Sequence, residues 1–196
     1  MFVIDVETTN LTAGKGEMLT LGLVVTDDEL NITFEKEYKF KPVEKHQWCK
    51  IAQSVHGISW KEAQKFPEAR ESFDSFINDC TRISDKDNTF LCHSAAIFGG
   101  LNYIDYQFLM YTARYLCKEK NSYVNKIDKL FPANKVKSTI LKSPKQAKLY
   151  YGVEDQKLKT WIKKLNLKGK HHSAIDDARF CLEVYKYQQR HEQELG

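Results

Sequence analysis

The side chains in this sequence best able to do chemistry are acids and histidines, and they come in close pairs. Asp5 and Glu7 lie in FVIDVETTN; His171, His172, Asp176 and Asp177 lie in HHSAIDDARF. Residues two apart on a strand share a face, so Asp5 and Glu7 stand one pleat apart at the end of an apolar run suited to the middle of a sheet. Two like charges held that close raise a pKa or cost stability unless a cation sits between them or the strand end is solvated. A solvated acidic strand end would explain this one pair. In NYIDYQFLMYTARYLC, however, Asp105 shares a helical stripe with Phe108, Leu109, Thr112 and Leu116, so an acid leads a face expected to look inward. A helix capped by Asn102, with Asp105 as first-turn charge, explains the residue but not its phase.

The same phase test sorts HHSAIDDARF. With Ser173 as N-cap, Asp176 falls at N3, where its carboxylate can reach back to the Ser173 N–H in a capping box. At about 100° per residue, Asp176 shares its sector with Arg179, Glu183, Lys186 and Arg190, whereas Asp177 points toward Phe180, Cys181 and Val184. Asp176 is therefore expected to face water and Asp177 protein. An ionised acid among apolar neighbours calls for a compensating positive group, and a bound cation is one. His172 lies just outside the cap, one helical turn from Asp177. There the positive dipole end favours the neutral ring, as a general base requires. His171 lies one residue further out in the loop after KGK. On local sequence alone, a loop histidine packed against the sheet is the better reading of His172.

These residues have to be positioned by strands and helices. Residues 2–6 are short, apolar and β-rich; residues 18–26 (MLTLGLVVT) and 32–40 (ITFEKEYKF) are further strands joined across DDELN, the last with Ile32, Phe34, Tyr38 and Phe40 on its apolar face. From residue 48 to 80 the pattern is helical: Pro67 ends one short helix, and Phe73, Phe76, Ile77 and Cys80 form a stripe. TFLCH (89–93), after the loop SDKDN, is a fourth strand. Then come the small-residue stretch SAAIFGG, a helix over 103–118, a lysine-rich region, a helix over 156–165 and a terminal helix. This order predicts an α/β domain, a mixed sheet whose first three strands are antiparallel and whose later ones are parallel, flanked by helices.

The 196 residues, 42% of them hydrophobic, suit a single domain over 1–196 with a core that requires no disulfide or structural metal. Five cysteines, odd in number and in no C-x-x-C pair, argue against a disulfide framework or zinc ribbon and suit a reducing cytoplasm. No apolar run is long enough to span a membrane, and no targeting leader is seen before FVIDVE, so a soluble cytoplasmic protein without membrane contact is expected. The net charge of +4 is uneven: residues 118–170 hold fifteen lysines, no arginine and four acids, a balance of +11 that leaves −7 for the remainder. Such a segment suits either a polyanion partner or a solvated face. Without arginine forks, contact there would be blind to base sequence.

With Asp5, Glu7, Asp105, His172 and Asp177 identified, the sequence resembles the DEDDh 3′→5′ exonucleases, which include proofreading subunits, oligoribonucleases and ribonuclease T-like trimming enzymes. DVETTN resembles the first motif D-x-E-T-T-G, with Asn10 in place of glycine, a residue that also tolerates a left-handed backbone. NYIDYQFL is similar to the second, an aspartate followed by x-x-F-L, and HSAIDDA to the third, H-x-A-x-x-D-A. QSVHGI is similar to a V-H-G-I segment, and LKTWIKKLNL to the helix before the third motif. The likeness spans residues 1–187. It departs at the H-N-A-x-F-D run, which begins as CHSAAIF but reaches its aspartate only at Asp105, after GGLNYI.

This resemblance implies a ribonuclease H-like fold and a metal-dependent exonuclease that releases nucleoside 5′-monophosphates from 3′ ends of single-stranded DNA or RNA. It implies two divalent cations, Mg²⁺ or Mn²⁺, held by Asp5, Glu7, Asp105 and Asp177, with His172 as general base. Thr8, Leu11, His56 and Ile58 match positions where the family holds terminal nucleotides. A proofreading role would require a polymerase or other replication, repair or RNA-processing partner. Two rival readings make different predictions. A non-catalytic nucleic-acid-binding module that kept the fold predicts a damaged site, whereas all five positions are filled. A basic scaffold acting through the lysines predicts binding that survives chelation and loss of His172.

Overall fold

In the computed structural model, which describes residues 1–84, 88–94, 96–97, 102–116, 122–141 and 144–195, MLTLGLVVT is buried along its whole length. That is the environment of a strand covered on both faces. This strand, β2 (Met18–Thr26), pairs antiparallel with β1 (Phe2–Thr8) and with β3 (Ile32–Lys39). The β2–β3 turn is closed by Asp27, whose carboxylate accepts the Asn31 N–H at 2.7 Å, and by Leu30 in a left-handed conformation. Three helices follow, α1 (Lys50–His56), α2 (Trp60–Ala63) and α3 (Ala69–Ile83). Then come β4 (Phe90–Cys92), a two-stranded pair β5 (Ala96–Ile97) and β6 (Asn102–Tyr103), α4 (Ile104–Leu116), α5 (Ser122–Leu130) and β7 (Val136–Ser138). The chain ends with α6 (Pro144–Tyr151), α7 (Leu158–Leu165) and α8 (Ala174–Leu195). The main sheet has the order β3-β2-β1-β4-β7, with β4 parallel to both β1 and β7. This is the expected mixed sheet.

Alternation along the central strands divides the core. Val3, Val24 and Leu91 face α8, where they meet Ala178, Cys181 and Leu182. Phe2, Ile4, Leu21, Leu23 and Phe90 face the other side, against Phe73, Phe76 and Ile77 of α3, Leu109 of α4 and Ile127 of α5. A third cluster, centred on the fully buried Trp161, packs α6 and α7 onto Phe180 and Val184 of α8. The long last helix is thus clamped between the sheet and the α6–α7 pair.

Several expectations are refined. Ile32 is 43% exposed, so the apolar face of β3 begins only at Phe34. Asn10 takes no left-handed backbone. The lysine-rich region is not one surface: it contains α5, β7, α6 and α7, and β7 was missed because three residues carry too little periodicity to register. Cys49, Cys80, Cys92 and Cys181 are free thiols. Parts of SDKDN (85–87) and SAAIFGG (95 and 98–100), together with Leu101, Cys117, Lys118, Lys120 and Lys142, lie outside the described residues, as does the Asn102 side chain proposed as a cap.

Gly22 pairs with Asp5 across β1 and β2, and the first turn of α8 crosses directly over it. A Cβ at this position would overlap the Ala174 carbonyl and the Ile175 nitrogen, both backbone atoms that cannot rotate away. The glycine therefore sets how closely α8 approaches the strand carrying Asp5. Gly22→Ala is expected to destabilise the fold by roughly 2–4 kcal/mol through forced separation of helix and strand. Thermal unfolding would measure this, and an unchanged midpoint would show that the helix can shift freely.

Candidate active site

The close approach of α8 to β2 brings the acids together. One ligand oxygen each from Asp5, Glu7 and Asp177 lie within 4.8 Å of one another, though the residues come from β1 and from a helix 170 positions later in the chain. Asp105 reaches the same place from the opposite layer. The ladder between β1 and β4 ends at Val3 and Leu91, which leaves the Val6 N–H without a strand partner, and Asp105 Oδ1 accepts it at 3.2 Å. Its helix starts immediately after β6, so the residues that interrupt the second motif form the β5–β6 pair, joined through 98–101, which lie outside the described residues.

Burial and mutual repulsion dominate the electrostatics. Burial first, and then Asp105, Asp177 and Glu7, hold the Asp5 carboxyl far above the usual carboxylate range. Burial followed by Asp177 and Asp105 pushes Glu7 up to about 8. Burial raises Asp105 to about 6 despite its hydrogen bonds, and raises Asp177 against the lowering influence of His171. Acids in this state fit a divalent cation: hard oxygen donors are gathered in one place, and positive charge would relieve their repulsion.

Asp177 is 4% exposed, as the phase of the helix required, whereas Asp176, expected to face water, has a side chain only 21% exposed. Asp177 accepts the His172 N–H at 3.0 Å and meets His171 Nδ1 at 2.9 Å. His172 has a φ of 66°, and its ring stacks on that of His171 with centroids 3.7 Å apart. Burial first, then His171, lowers the pKa of His172, so its ring is held in the neutral form. Asp176 does not form the expected capping box with Ser173. It accepts the Lys170 N–H at 3.0 Å and pairs with Arg179 at 2.6 Å. Arg179 in turn forks onto both oxygens of Glu35 on β3 at 2.8 and 2.9 Å. Its role is to anchor α8 to the sheet.

Asp5, Glu7, Asp177 and both histidines line a cleft of about 700 Å³, which is also lined by the segment Asp155–Lys159 and His93; Asp105 lies behind them. Sequence reasoning missed this segment and His93. Gln156 is tied to both backbone groups of Leu141, its Nε2 donating to the carbonyl at 3.0 Å. His93, at the end of β4, contacts Thr139 and the Gln156 carbonyl. Lys157 and Lys159 are thereby placed on the cleft, whereas Lys126, Lys129 and Lys135 line a separate cavity before β4 and β7, at the opposite end of the sheet. A histidine directly after a buried strand was the available signal for His93. The two lysines had none that distinguished them from the other thirteen.

Of the expected nucleotide-holding residues Thr8, Leu11, His56 and Ile58, none is in the lining of the cleft, and Thr8 directly follows Glu7 on β1. Thr8 Oγ1 donates to the Asn10 carbonyl at 2.6 Å. His56 is buried and accepts the Ile58 N–H at 3.0 Å, and its pKa is lowered by burial and by nearby His172. Leu11 stands 59% exposed.

A family model described as "Exonuclease" matches residues 2–185. The chain belongs to this exonuclease family. Its fold is also that of a 3′-exonuclease solved for "3′-end specific recognition of histone mRNA stem-loop". That likeness has 16% identity and a TM-score of 0.67, over 96% of this chain and 80% of that one. The nuclease domain of 3′hExo, described as a DEDDh family member bound to rAMP, is 16% identical with a TM-score of 0.63, over 96% and 90% of the two chains. E. coli exonuclease I in complex with a dT13 oligonucleotide is 14% identical with a TM-score of 0.71. There the match covers 99% of this chain but 42% of the other, so this chain spans less than half of exonuclease I. No curated protein sequence matches the chain. Among the described residues, no helix is long and apolar enough to cross a membrane.

Proposed function

We propose that this chain is a divalent-cation-dependent 3′→5′ exonuclease that shortens single-stranded DNA or RNA by one nucleoside 5′-monophosphate at a time. The observation that carries this reading is the convergence of Asp5, Glu7 and Asp177, with His172 beside them, at the mouth of one cleft. Asp5, Glu7 and Asp177 would hold one cation, and Asp105 would support a second. Bound Mg²⁺ or Mn²⁺ would neutralise the acids, polarise the terminal phosphodiester and stabilise charge on the departing 3′ oxygen. His172, kept neutral, takes the proton from the attacking water as its oxygen bonds to phosphorus and the bond to the 3′ oxygen breaks. Its backbone N–H, held on Asp177, fixes the position of the residue.

Lys157 and Lys159 face the incoming strand and would neutralise its phosphates without reading bases. Exposed Leu11, with Thr8, His56 and Ile58, would hold the terminal nucleotide by contacts that suit any base. That the structural relatives were solved with a dT13 oligonucleotide, with rAMP and for recognition of an mRNA stem-loop supports a nucleic acid as the substrate.

The test is incubation with 5′-labelled single-stranded DNA and RNA, with Mg²⁺ or with EDTA. A ladder shortening from the 3′ end and absent in EDTA is expected. His172→Ala should slow it by roughly 10²–10⁴-fold, the usual contribution of a positioned general base. Binding without shortening in Mg²⁺ would instead establish the non-catalytic module.

A further inference from the structure

His171 has no part in the mechanism above, yet it is built into the site. We propose that His171, His172 and Asp177 form a second metal site, selective for a transition-metal cation of the zinc class. One ligand atom from each of the three lies within 4.8 Å of the other two. Two imidazole nitrogens and one carboxylate oxygen are a donor set that zinc accepts, with water as the fourth ligand, whereas magnesium prefers oxygen throughout. This distinguishes the site from the all-oxygen cluster of Asp5, Glu7 and Asp177, although the two share Asp177.

The local backbone makes the site possible. In an extended run, His171 and His172 would point to opposite sides. The left-handed conformation of His172, unfavourable for a non-glycine residue, folds the chain back so that the two rings stack on one side, next to Asp177. His171 Nδ1 and the Asp177 oxygen are 2.9 Å apart, while two donors of a tetrahedral zinc ion stand about 3.4 Å apart. For this pair an opening of roughly half an ångström is needed, and the stacked rings must also turn so that their in-plane lone pairs converge on the ion. The His171 side chain is 27% exposed, which gives the ion a route from solvent.

Zinc bound here would act as an inhibitor. It would occupy the His172 lone pair that must receive the proton and draw Asp177 away from the catalytic cation. The inhibition rests on the exonuclease reading; the binding does not.

The two are tested separately. Metal-free protein is titrated with Zn²⁺ against a chromophoric chelator. One equivalent is expected to bind, and His171→Ala and His172→Ala are each expected to weaken it by about tenfold or more. His171→Gln, which keeps the side chain's bulk but not the imidazole, should behave like His171→Ala, with circular dichroism showing that each variant is folded. Affinity unchanged in the folded histidine variants would assign the zinc to the carboxylates and overturn the proposal. In Mg²⁺ with labelled oligonucleotide, the zinc concentration for half-inhibition should rise in His171→Ala by the same factor as its zinc dissociation constant, each protein being referred to its own zinc-free rate. An unshifted value would overturn the inhibitory role. Failure of the wild-type protein to shorten the oligonucleotide would count against the exonuclease reading alone.

Discussion

Asp177→Asn is expected to abolish Mg²⁺-dependent shortening, with a loss of at least about 10³-fold, while Asp176→Asn retains activity within roughly threefold. The two substitutions are the same chemical change at adjacent positions, so the contrast isolates where the side chains point. Asp177 is buried with an oxygen in the cluster shared with Asp5 and Glu7. An amide there removes one formal charge and one hard ligand from the place where the phosphate must be held. Asp176 lies outside the cleft, bonded to Arg179 and the Lys170 N–H. Its amide gives up part of a partly buried ion pair that Arg179 shares with Glu35, a change worth about 1 kcal/mol in stability. Initial rates on a labelled oligonucleotide at saturating Mg²⁺ provide the measurement. Equal losses in both variants would mean that the assignment of one acid to the site and the other to the anchor is mistaken.

That assignment could be read from the sequence because it needs only the helical period and the identity of the neighbours. The strand pair Asp5 and Glu7 was legible for the same reason, and so was the inward phase of Asp105. What sequence could not supply was the reason Asp105 reaches β1, which lies in where the β1–β4 ladder stops and leaves the Val6 N–H free. The expected capping box failed through a local cause: left-handed His172 redirects the chain, and Lys170 rather than Ser173 presents its N–H to Asp176. The Arg179–Glu35 fork joins residues 144 positions apart, and no local pattern announces it. Nothing in MLTLGLVVT marks Gly22, because the constraint on it comes from the backbone of α8 crossing above. The lysine excess suggested a polyanion partner, but its division between two ends of the sheet depends on the Gln156 clamp, a tertiary feature.

Removing divalent cations should make the protein less stable as pH rises, the reverse of what a simple acid-denaturation argument gives. The Glu7 carboxyl is pushed up to about 8 and Asp5 is held high as well, whereas both titrate near 4 in the unfolded chain. A group whose folded pKa is raised contributes stability that is complete below its unfolded pKa and is lost as pH climbs through the folded value. For Glu7 that loss extends to about pH 8. Buried His93, lowered to about 4, works in the opposite direction but only up to its unfolded value near 6.5. The carboxylates therefore lead from about pH 6.5 to 8, and near pH 8.5 the buried Cys80, Cys92 and Cys181 thiols, also raised by burial, act in the same direction. In EDTA the unfolding temperature should fall across this interval. Mn²⁺ at a hundredfold excess over its dissociation constant at pH 8.5 should restore about 2.7 kcal/mol, roughly 5–10 °C for a domain of this size, and the same Mn²⁺ concentration should restore less at pH 6.5 because protons compete for the same oxygens. Glu7→Gln should raise the unfolding temperature in EDTA at pH 8.5 and reduce the response to Mn²⁺, since it removes both the repulsion and the ligand. A midpoint in EDTA that is flat or rising over this interval, with no response to Mn²⁺, would show that these acids are solvated and that no cation is needed to hold them together.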